Sequence, residues 1–313
     1  RYLDMRDLKN NLTPGKNSRN IQSKRTKGFG YQVLGFGAGG RLPRVPGNID
    51  FLVIAGGGSA CGTSNAGGGG AGGYRTATES TVALEKVITI TVGDGGASVS
   101  SGVGNTGIAS SFSGSGLTTI SSAGGGGGGQ DGSRPGKAGG SGGGAGPNGT
   151  FGAGNTPSTS PVQGYNGGAA ISSGSWGAGG GGGASEVGEN ATSPKAGDGG
   201  DGVASSISGS SVTRGGGGGG GTDSIAGAGG AGGGGAAAGE GAGNGTPGTA
   251  NTGGGGGGCE TPYTSGAGGK GVIILSVPGA SYSGTTTGSP TVATGQAGSK
   301  TTMIFTGSGS YTT

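Results

Sequence analysis

The amino-acid sequence predicts a mostly irregular, all-β protein: a bundle of polyglycine II helices bracketed by short β-strands and preceded by an extended basic arm. Three observations support this prediction. Glycine supplies 95 of the 313 residues. Long glycine runs recur along the chain without a Gly-X-Y period, which excludes collagen. Short apolar segments stand at both ends of the glycine-rich region, at residues 51–55 and 271–277.

The composition requires that backbone groups hold the fold together. Hydrophobic residues make up 28% of the chain and aromatic residues 4%. Because glycine loses more backbone entropy on folding than any other residue, so small an apolar content cannot offset that loss with a conventional core alone. We therefore expect backbone hydrogen bonds to order the glycine-rich part.

Residues 1–47 are predicted to be a basic anchoring arm with little core of its own. Residues 1–50 contain ten Lys or Arg and three acids, whereas residues 51–313 contain eight and eleven. Residues 1–12 predict a short helix, and residues 28–37 alternate aromatics with glycine, as in an extended segment on another surface. The arm either docks onto an acidic structural partner or is a solvated tail. The docking candidates are Arg19, Lys24, Arg25, Lys27, Phe29, Tyr31 and Phe36.

The remainder divides into a glycine-rich domain, residues 48–278, and a C-terminal β segment, residues 279–313. The apolar segments 51–55 and 271–277 predict two buried strands at opposite ends of one domain. Residues 74–78 and 86–92 predict a hairpin, and residues 93–96 a turn.

The glycine-rich region contains an internal repeat. Residues 107–115 match residues 202–210 at an offset of 95 positions, and each copy leads shortly into a pure glycine run. This repetition predicts two related layers or half-domains.

The glycine runs are suited to one ordered conformation that larger residues cannot share in a bundle. A polyglycine II helix has three residues per turn and no internal hydrogen bonds. Its N–H and C=O groups point outward, so closely packed neighbours satisfy one another's buried backbone groups. The segments between runs then become surface loops. The runs are residues 67–70, 124–129, 179–183, 215–221, 232–235 and 253–258.

A resemblance to a known family follows from residues 51–58 (FLVIAGGG), 67–75 (GGGGAGGYR), 91–96 (TVGDGG), 249–258 (TANTGGGGGG) and 271–277 (GVIILSV). Together they resemble the Gly-rich domain of phage tail and virion proteins, over roughly residues 49–278. The body is also distantly similar to the glycine-rich fibre-tip adhesin of T-even-like phages. This resemblance implies a polyglycine II sandwich whose variable loops touch the host receptor. Residues 303–312 resemble the strand that usually opens this domain type, and here they follow it. They either pair back, pair with a neighbour or begin a second copy.

The sequence offers no recognisable catalytic centre. Without histidine, Ser-His-Asp and Cys-His centres are impossible. Glycine-rich strings of the GxGxxG type occur without the helix that a dinucleotide site needs.

Asp198 and Asp201 are either Ca²⁺ ligands or, as we expect, solvated acids. Cys61 and Cys259 are either disulfide-bonded or, as we expect, free thiols. We expect no enzyme activity, no cofactor, no metal and no nucleic-acid partner. The apolar runs are too short for membrane insertion.

The candidate receptor-contact residues are isolated rings between polar or glycine stretches: Phe151, Tyr165, Trp176 and Tyr263. Aromatic side chains are favoured at recognition surfaces. The alternative is that each ring is a local plug on the glycine bundle.

We therefore expect a virion surface protein, a tail fibre or adhesin that recognises host polysaccharide or an outer-membrane protein. Its arm would join other virion proteins, and family analogy implies a homotrimer. The alternative is a capsid or tail decoration or head-fibre protein with the glycine body as a rigid spacer. An ice-binding or matrix role is not favoured, because a regular three-residue period and a flat Thr-rich face are both missing.

Overall fold

The computed structural model describes residues 45–132, 134–173 and 176–313, without the side chains of residues 79–81. The helix predicted over residues 1–12 and all seven docking candidates lie outside these described residues. Of the predicted basic arm, residues 1–47, the structure describes only residues 45–47.

The described residues form antiparallel β-sheets and two short 3-10 turns, with no α-helix among them. The all-β part of the prediction is thus confirmed. The first sheet has the strand order β10-β11-β8-β1-β2 and the second has the order β5-β4-β3-β12-β9, while β6 and β7 form a separate hairpin. The strands are β1 Gly47–Ile54, β2 Tyr74–Val82, β3 Val87–Thr91, β4 Ser110–Gly114, β5 Ile120–Ser122, β6 Val203–Ser205, β7 Val212–Arg214, β8 Val272–Pro278, β9 Thr285–Thr287, β10 Thr291–Gln296, β11 Lys300–Phe305 and β12 Gly309–Thr312.

The two apolar segments predicted as strands lie side by side at the centre of the first sheet. β1 and β8 are antiparallel partners, with Val53 opposite Ile273. Both strands are buried on both faces, which explains their continuous apolar sequences. The glycine-rich region therefore starts and ends at adjacent points of the same sheet.

One face of the first sheet packs against the second sheet around a shared hydrophobic core. Phe51 on β1 meets Phe112 on β4 edge to face, with ring centroids 5.0 Å apart. Ile88 and Ile90 of β3 and Tyr311 of β12 are also fully buried in this core. The side chains on these strands form a conventional apolar core, which the glycine-rich segments lack.

The hairpin predicted from residues 74–78 and 86–92 is wrong. Both segments are strands, but β2 pairs with β1 in the first sheet, whereas β3 pairs with β4 and β12 in the second. The alternating pattern of β3 buries Ile88 and Ile90 in the core between the sheets. The chain therefore crosses from one layer to the other between β2 and β3.

The two copies of the repeat begin two antiparallel hairpins, each leading into a glycine run. The first copy contains β4, which pairs with β5, and the second contains β6, which pairs with β7. Phe112 of the first copy packs in the core between the sheets, whereas the equivalent Ile207 of the second copy packs on the opposite face of the first sheet. The related hairpins thus cover opposite faces of one central sheet.

The C-terminal segment pairs back onto its own sheets. β11 pairs with β8 in the first sheet, with Met303 opposite Leu275. β12 pairs with β3 and β9 in the second. Of the three arrangements that the sequence left open, the structure therefore shows the one in which the C-terminal segment pairs back.

The glycine-rich segments hydrogen-bond to one another with a three-residue period. Along residues 67–72, successive backbone N–H groups donate to three different neighbouring segments, and then the order repeats. The donor–acceptor pairs are 67 to 129, 68 to 179, 69 to 256, 70 to 126, 71 to 182 and 72 to 253, with N···O distances of 2.8–3.1 Å. Residues 216–221 follow the same rule: residues 216 and 219 donate to segment 232–235, residues 217 and 220 to segment 197–200, and residues 218 and 221 to segment 66–69.

Candidate functional site

The loops that join the glycine-rich segments lie at two ends of the body, and one end is remote from the sheets. From β1 the chain continues through residues 55–60, turns at residues 61–66 and returns through residues 67–73 to β2. The turn at 61–66 therefore lies one full pass away from the strands. Neighbouring loops share this end, because Gly221 N–H donates to Ala66 O at 2.8 Å and Ala178 N–H to Gly221 O at 3.0 Å. We call residues 61–66, 171–173, 176–177, 222–226 and 259–264 the distal loops.

Trp176 lies in the distal loops with 37% of its surface exposed. The Thr222 hydroxyl donates to the Trp176 carbonyl oxygen at 2.7 Å, so the neighbouring loop 222–226 holds the backbone at the indole. Since Trp176 is both exposed and held by a neighbouring loop, it has the properties of a recognition residue.

Tyr263 also lies in the distal loops, but it is half-buried. Its carbonyl oxygen accepts a hydrogen bond from the Cys259 thiol at 3.4 Å, and its hydroxyl donates to Gly241 O at 3.5 Å. These contacts tie the residue to its own and an adjacent loop, as expected of a local plug.

Phe151 and Tyr165 lie on the flank of the glycine body instead of in the distal loops. They sit on neighbouring segments, which are joined by the hydrogen bond from Gly167 N–H to Gly152 O at 3.1 Å, and both rings are exposed. Tyr165 N–H donates to Gly183 O, close to the sheets. The four aromatic candidates therefore do not form one surface.

Sequence reasoning missed Ile225, which is 54% exposed in the same loop as Thr222. Its N–H donates to Pro194 O at 3.3 Å, so a third loop, residues 192–195, meets the distal loops here. The only sequence signal is a branched apolar residue alone among polar loop residues. An exposed apolar residue in the loop whose Thr222 contacts Trp176 enlarges the candidate recognition surface.

Asp198 and Asp201 accept hydrogen bonds from the backbone; Asp201 is exposed, as expected of a solvated acid, and Asp198 is half-buried. The Asp198 carboxylate accepts from Ala228 N–H at 2.8 Å, and the Asp201 carboxylate accepts from Ala231 N–H at 2.7 Å. Lys195 Nζ lies 2.6 Å from the same Asp198 side chain. Two carboxylates three residues apart therefore accept hydrogen bonds from two N–H groups three residues apart on an adjacent segment. This spacing matches the three-residue period of the hydrogen bonds between the glycine-rich segments. Within the described part of the chain, no group of three or more His, Cys, Asp or Glu is placed to hold a metal ion.

A buried carboxyl group lies within the distal loops. Glu260 accepts a hydrogen bond from Asn65 N–H at 2.6 Å, across two loops that are far apart in sequence. Burial raises the pKa of Glu260, and the nearby acids Asp223 and Glu240 raise it further, against the lowering effect of the Asn65 hydrogen bond. The contact joins loops 61–66 and 259–264.

The two cysteines are free and buried, in agreement with the preferred expectation. Cys259 lies at the end of a glycine run, with its sulfur 3.9 Å from the Cys61 carbonyl oxygen. Burial raises the pKa of Cys259 to about 12, and burial also raises the pKa of Cys61.

Both thiols are expected to resist alkylation in the folded protein. With a pKa of about 12, only about one Cys259 thiol in ten thousand is ionised at pH 8, and the thiolate is the reactive form. Iodoacetamide at pH 8, followed by mass spectrometry, should leave native protein unmodified and label both residues in denaturant. Native labelling at the rate of a free cysteine would contradict this burial.

The comparisons with known proteins give one family. A family model described as a glycine-rich domain matches residues 38–278. A search of curated proteins found no match to this chain. Among the residues that the structure describes, no helix has the length and apolar character needed to cross a bilayer.

Proposed function

This chain belongs to the glycine-rich domain family, and from that premise we propose that it is a phage virion protein, a tail fibre or adhesin that recognises the host cell surface. Its recognition surface is the set of distal loops around Trp176 and Ile225. It acts by binding and not by catalysis, without a cofactor. The ligand is host surface polysaccharide or an outer-membrane protein. Other virion proteins hold the basic arm, and a homotrimer would make the contacts multivalent.

The glycine body is a polyglycine II bundle in this proposal. The supporting observation is the period of the backbone hydrogen bonds, in which every third N–H of residues 67–72 donates to the same neighbour. A helix with three residues per turn directs its N–H groups outward at three angles, so it needs three neighbours for the groups it buries. A β-strand alternates between two sides and would need only two.

The separation of the two ends is the observation that carries the recognition role. The described chain starts at Val45 beside the sheets, where Val45, Tyr311 and Thr313 line one small cavity. The distal loops lie at the other end of the glycine segments. A rigid body with attachment at one end and loops at the other suits a display function, since loops can vary while the scaffold positions them.

Replacing Trp176 by alanine is expected to lower binding to host cells by about tenfold or more, because an exposed aromatic residue is a common anchor of recognition. The measurement is binding of fluorescent full-length protein to cells of a susceptible bacterial strain. Tyr165→Ala is the matched control, since it removes an equally exposed ring from the flank, close to the sheets. Equal binding by wild type and the Trp176 variant, or a larger loss from the flank variant, would contradict the assignment of the distal loops.

The alternative is a capsid or tail decoration or head-fibre protein with the glycine body as a rigid spacer. The same hydrogen-bond network favours it, because a body whose segments are cross-linked in three directions resists bending and proteolysis. This role requires no ligand at the distal loops. Wild-type protein that is folded and yet binds no susceptible cells would favour the spacer.

A further inference from the structure

The outer edge of strand β2 is open over residues 76–78. β2 is the last strand of the first sheet, and among the described strands it pairs only with β1. Tyr74 N–H points away from β1 and donates to Gln163 O at 2.8 Å. Because the backbone groups of successive residues alternate between the two edges of an antiparallel strand, those of Thr76 and Thr78 point outward as well. Within the described residues, no backbone group pairs with these outward groups.

A cleft of about 330 Å³ lies along this open edge and reaches both faces of the first sheet. Its lining residues on the face towards the second sheet are Phe51, Arg75, Ala77 and Ile120. Its lining residues on the opposite face include Tyr74, Ala184 and Val203. Loop 160–162 adds a further wall. Since successive side chains of an extended chain point to opposite faces, a cleft of this shape can accommodate one added strand.

The face towards the second sheet carries a positive charge. Arg75 is the one charged residue among the described residues that line the cleft. It lies opposite Val53 of β1, and its guanidinium donates to Ser121 O of the second sheet at 3.3 Å. Each ion pair found among the described residues uses a lysine, so Arg75 has no carboxylate partner there. An arginine that is bonded only to a neutral carbonyl oxygen favours a carboxylate on the molecule that enters the cleft.

The lining on the opposite face is mainly apolar. Tyr74 and Ala184 are buried in the hydrophobic cluster that includes Leu52, and Val203 packs against this cluster while partly exposed. Val162 of loop 160–162 also lines the cleft and is exposed. An apolar side chain that enters on this face removes apolar surface from water, and the gain grows with the area removed.

We propose that this cleft binds an extended peptide segment of a partner protein as an added strand on β2, with acidic and apolar side chains in alternation. The peptide backbone pairs with the outward N–H and C=O groups of Thr76 and Thr78. The acidic side chains face Arg75, and the apolar side chains face Ala184 and Val203. In strand addition, main-chain hydrogen bonds give affinity and the pockets for alternate side chains give specificity. The inference does not depend on the proposed host recognition, because no lining residue of the cleft belongs to the distal loops.

The test measures binding of labelled synthetic peptides to the purified full chain by fluorescence polarisation. The peptide acetyl-Val-Glu-Val-Glu-Val-amide is expected to bind at least about tenfold more tightly than the same peptide with lysine in place of glutamate, because only a carboxylate can pair with Arg75. N-methylation of alternate peptide amides tests strand addition without any change to the protein. Methylation of one alternate set should weaken binding about tenfold or more, and methylation of the other set should leave it nearly unchanged, since only one edge of an added strand faces β2.

Arg75→Gln tests the charge of the cleft. This variant should bind the glutamate peptide about tenfold more weakly than wild type and should lose the preference over the lysine peptide. Arg134→Gln is the matched control, because it removes the same charge from an exposed position outside the cleft. Both variants are expected to melt close to wild type, which separates lost binding from lost folding.

Three results would overturn the peptide site. They are no binding of the glutamate peptide, equal binding of the two alternately methylated peptides, and a charge preference that Arg75→Gln leaves intact. Sedimentation of the full chain tests a second copy of the chain as the occupant of the open edge. Self-association that Arg75→Gln abolishes, together with no bound peptide, would assign this edge to a second copy and would also overturn the proposal.

Discussion

Replacing Gly218 by valine is expected to destabilise the glycine body by more than about 3 kcal/mol, enough to unfold it at moderate temperature. Gly218 N–H donates to Gly69 O at 2.9 Å, and Gly218 O accepts from Gly181 N–H at 2.8 Å. A Cβ at this position would approach the Gly256 carbonyl oxygen closer than 3.0 Å, which real Cβ atoms essentially never show. The obstacle is backbone that is itself hydrogen-bonded, so no side chain can move aside.

Thermal unfolding followed by circular dichroism measures this effect. Gly307→Val is the matched control, because a Cβ on Gly307 meets nothing within 4 Å. The control should melt close to wild type, whereas the Gly218 variant should be unfolded or should melt far earlier. A Gly218→Val protein that melts with wild type would exclude the polyglycine II bundle, since the packing of these runs would then not depend on the missing side chain.

Replacing Phe112 by alanine is expected to cost about 3–5 kcal/mol of unfolding free energy. Phe112 is fully buried, and its ring packs on Phe51 across the two sheets. Its removal leaves a cavity between layers that contain most of the large, fully buried side chains among the described residues. Urea unfolding of the purified variant measures the loss.

The repeat provides the control for this prediction. Ile207 occupies the equivalent position of the second copy but is only partly buried, on the other face of the first sheet. Ile207→Ala is expected to cost about 1 kcal/mol, because less apolar surface returns to water. Similar losses from the two variants would mean that the core between the sheets is not the main source of stability.

Local sequence patterns predicted which segments are β-strands better than they predicted which strands pair with each other. The continuous apolar segments at 51–55 and 271–277 indicated buried strands, and they are central strands β1 and β8. The alternation at residues 86–92 likewise indicated β3, but it did not indicate that β3 belongs to a different sheet from β2. Alternation reports which face of a strand is buried, and either sheet of a sandwich can supply that burial.

The candidate sites show the same limit. Isolated aromatic residues could be identified in the sequence as candidate receptor contacts. Their sequence positions did not show that Trp176 lies in the distal loops and Phe151 outside them. No sequence signal indicated that Arg214 is buried, because its burial depends on the packing of the β6–β7 hairpin over the first sheet. The sequence indicated that Asp198 and Asp201 are loop acids, but not that backbone N–H groups 30 residues later donate hydrogen bonds to both carboxylates.

The composition alone was enough to predict an all-β fold ordered by backbone hydrogen bonds between segments. A chain with 95 glycines and few apolar residues has to satisfy its backbone groups between segments, since side chains cannot supply enough burial. Which segments are neighbours, how the C-terminal strands complete the sheets, and which end carries the distal loops became clear from the three-dimensional arrangement. Glycine runs carry no side chains that could distinguish one neighbour from another, so the arrangement of the glycine-rich segments depends on the lengths and contacts of the loops and on the sheets that anchor them.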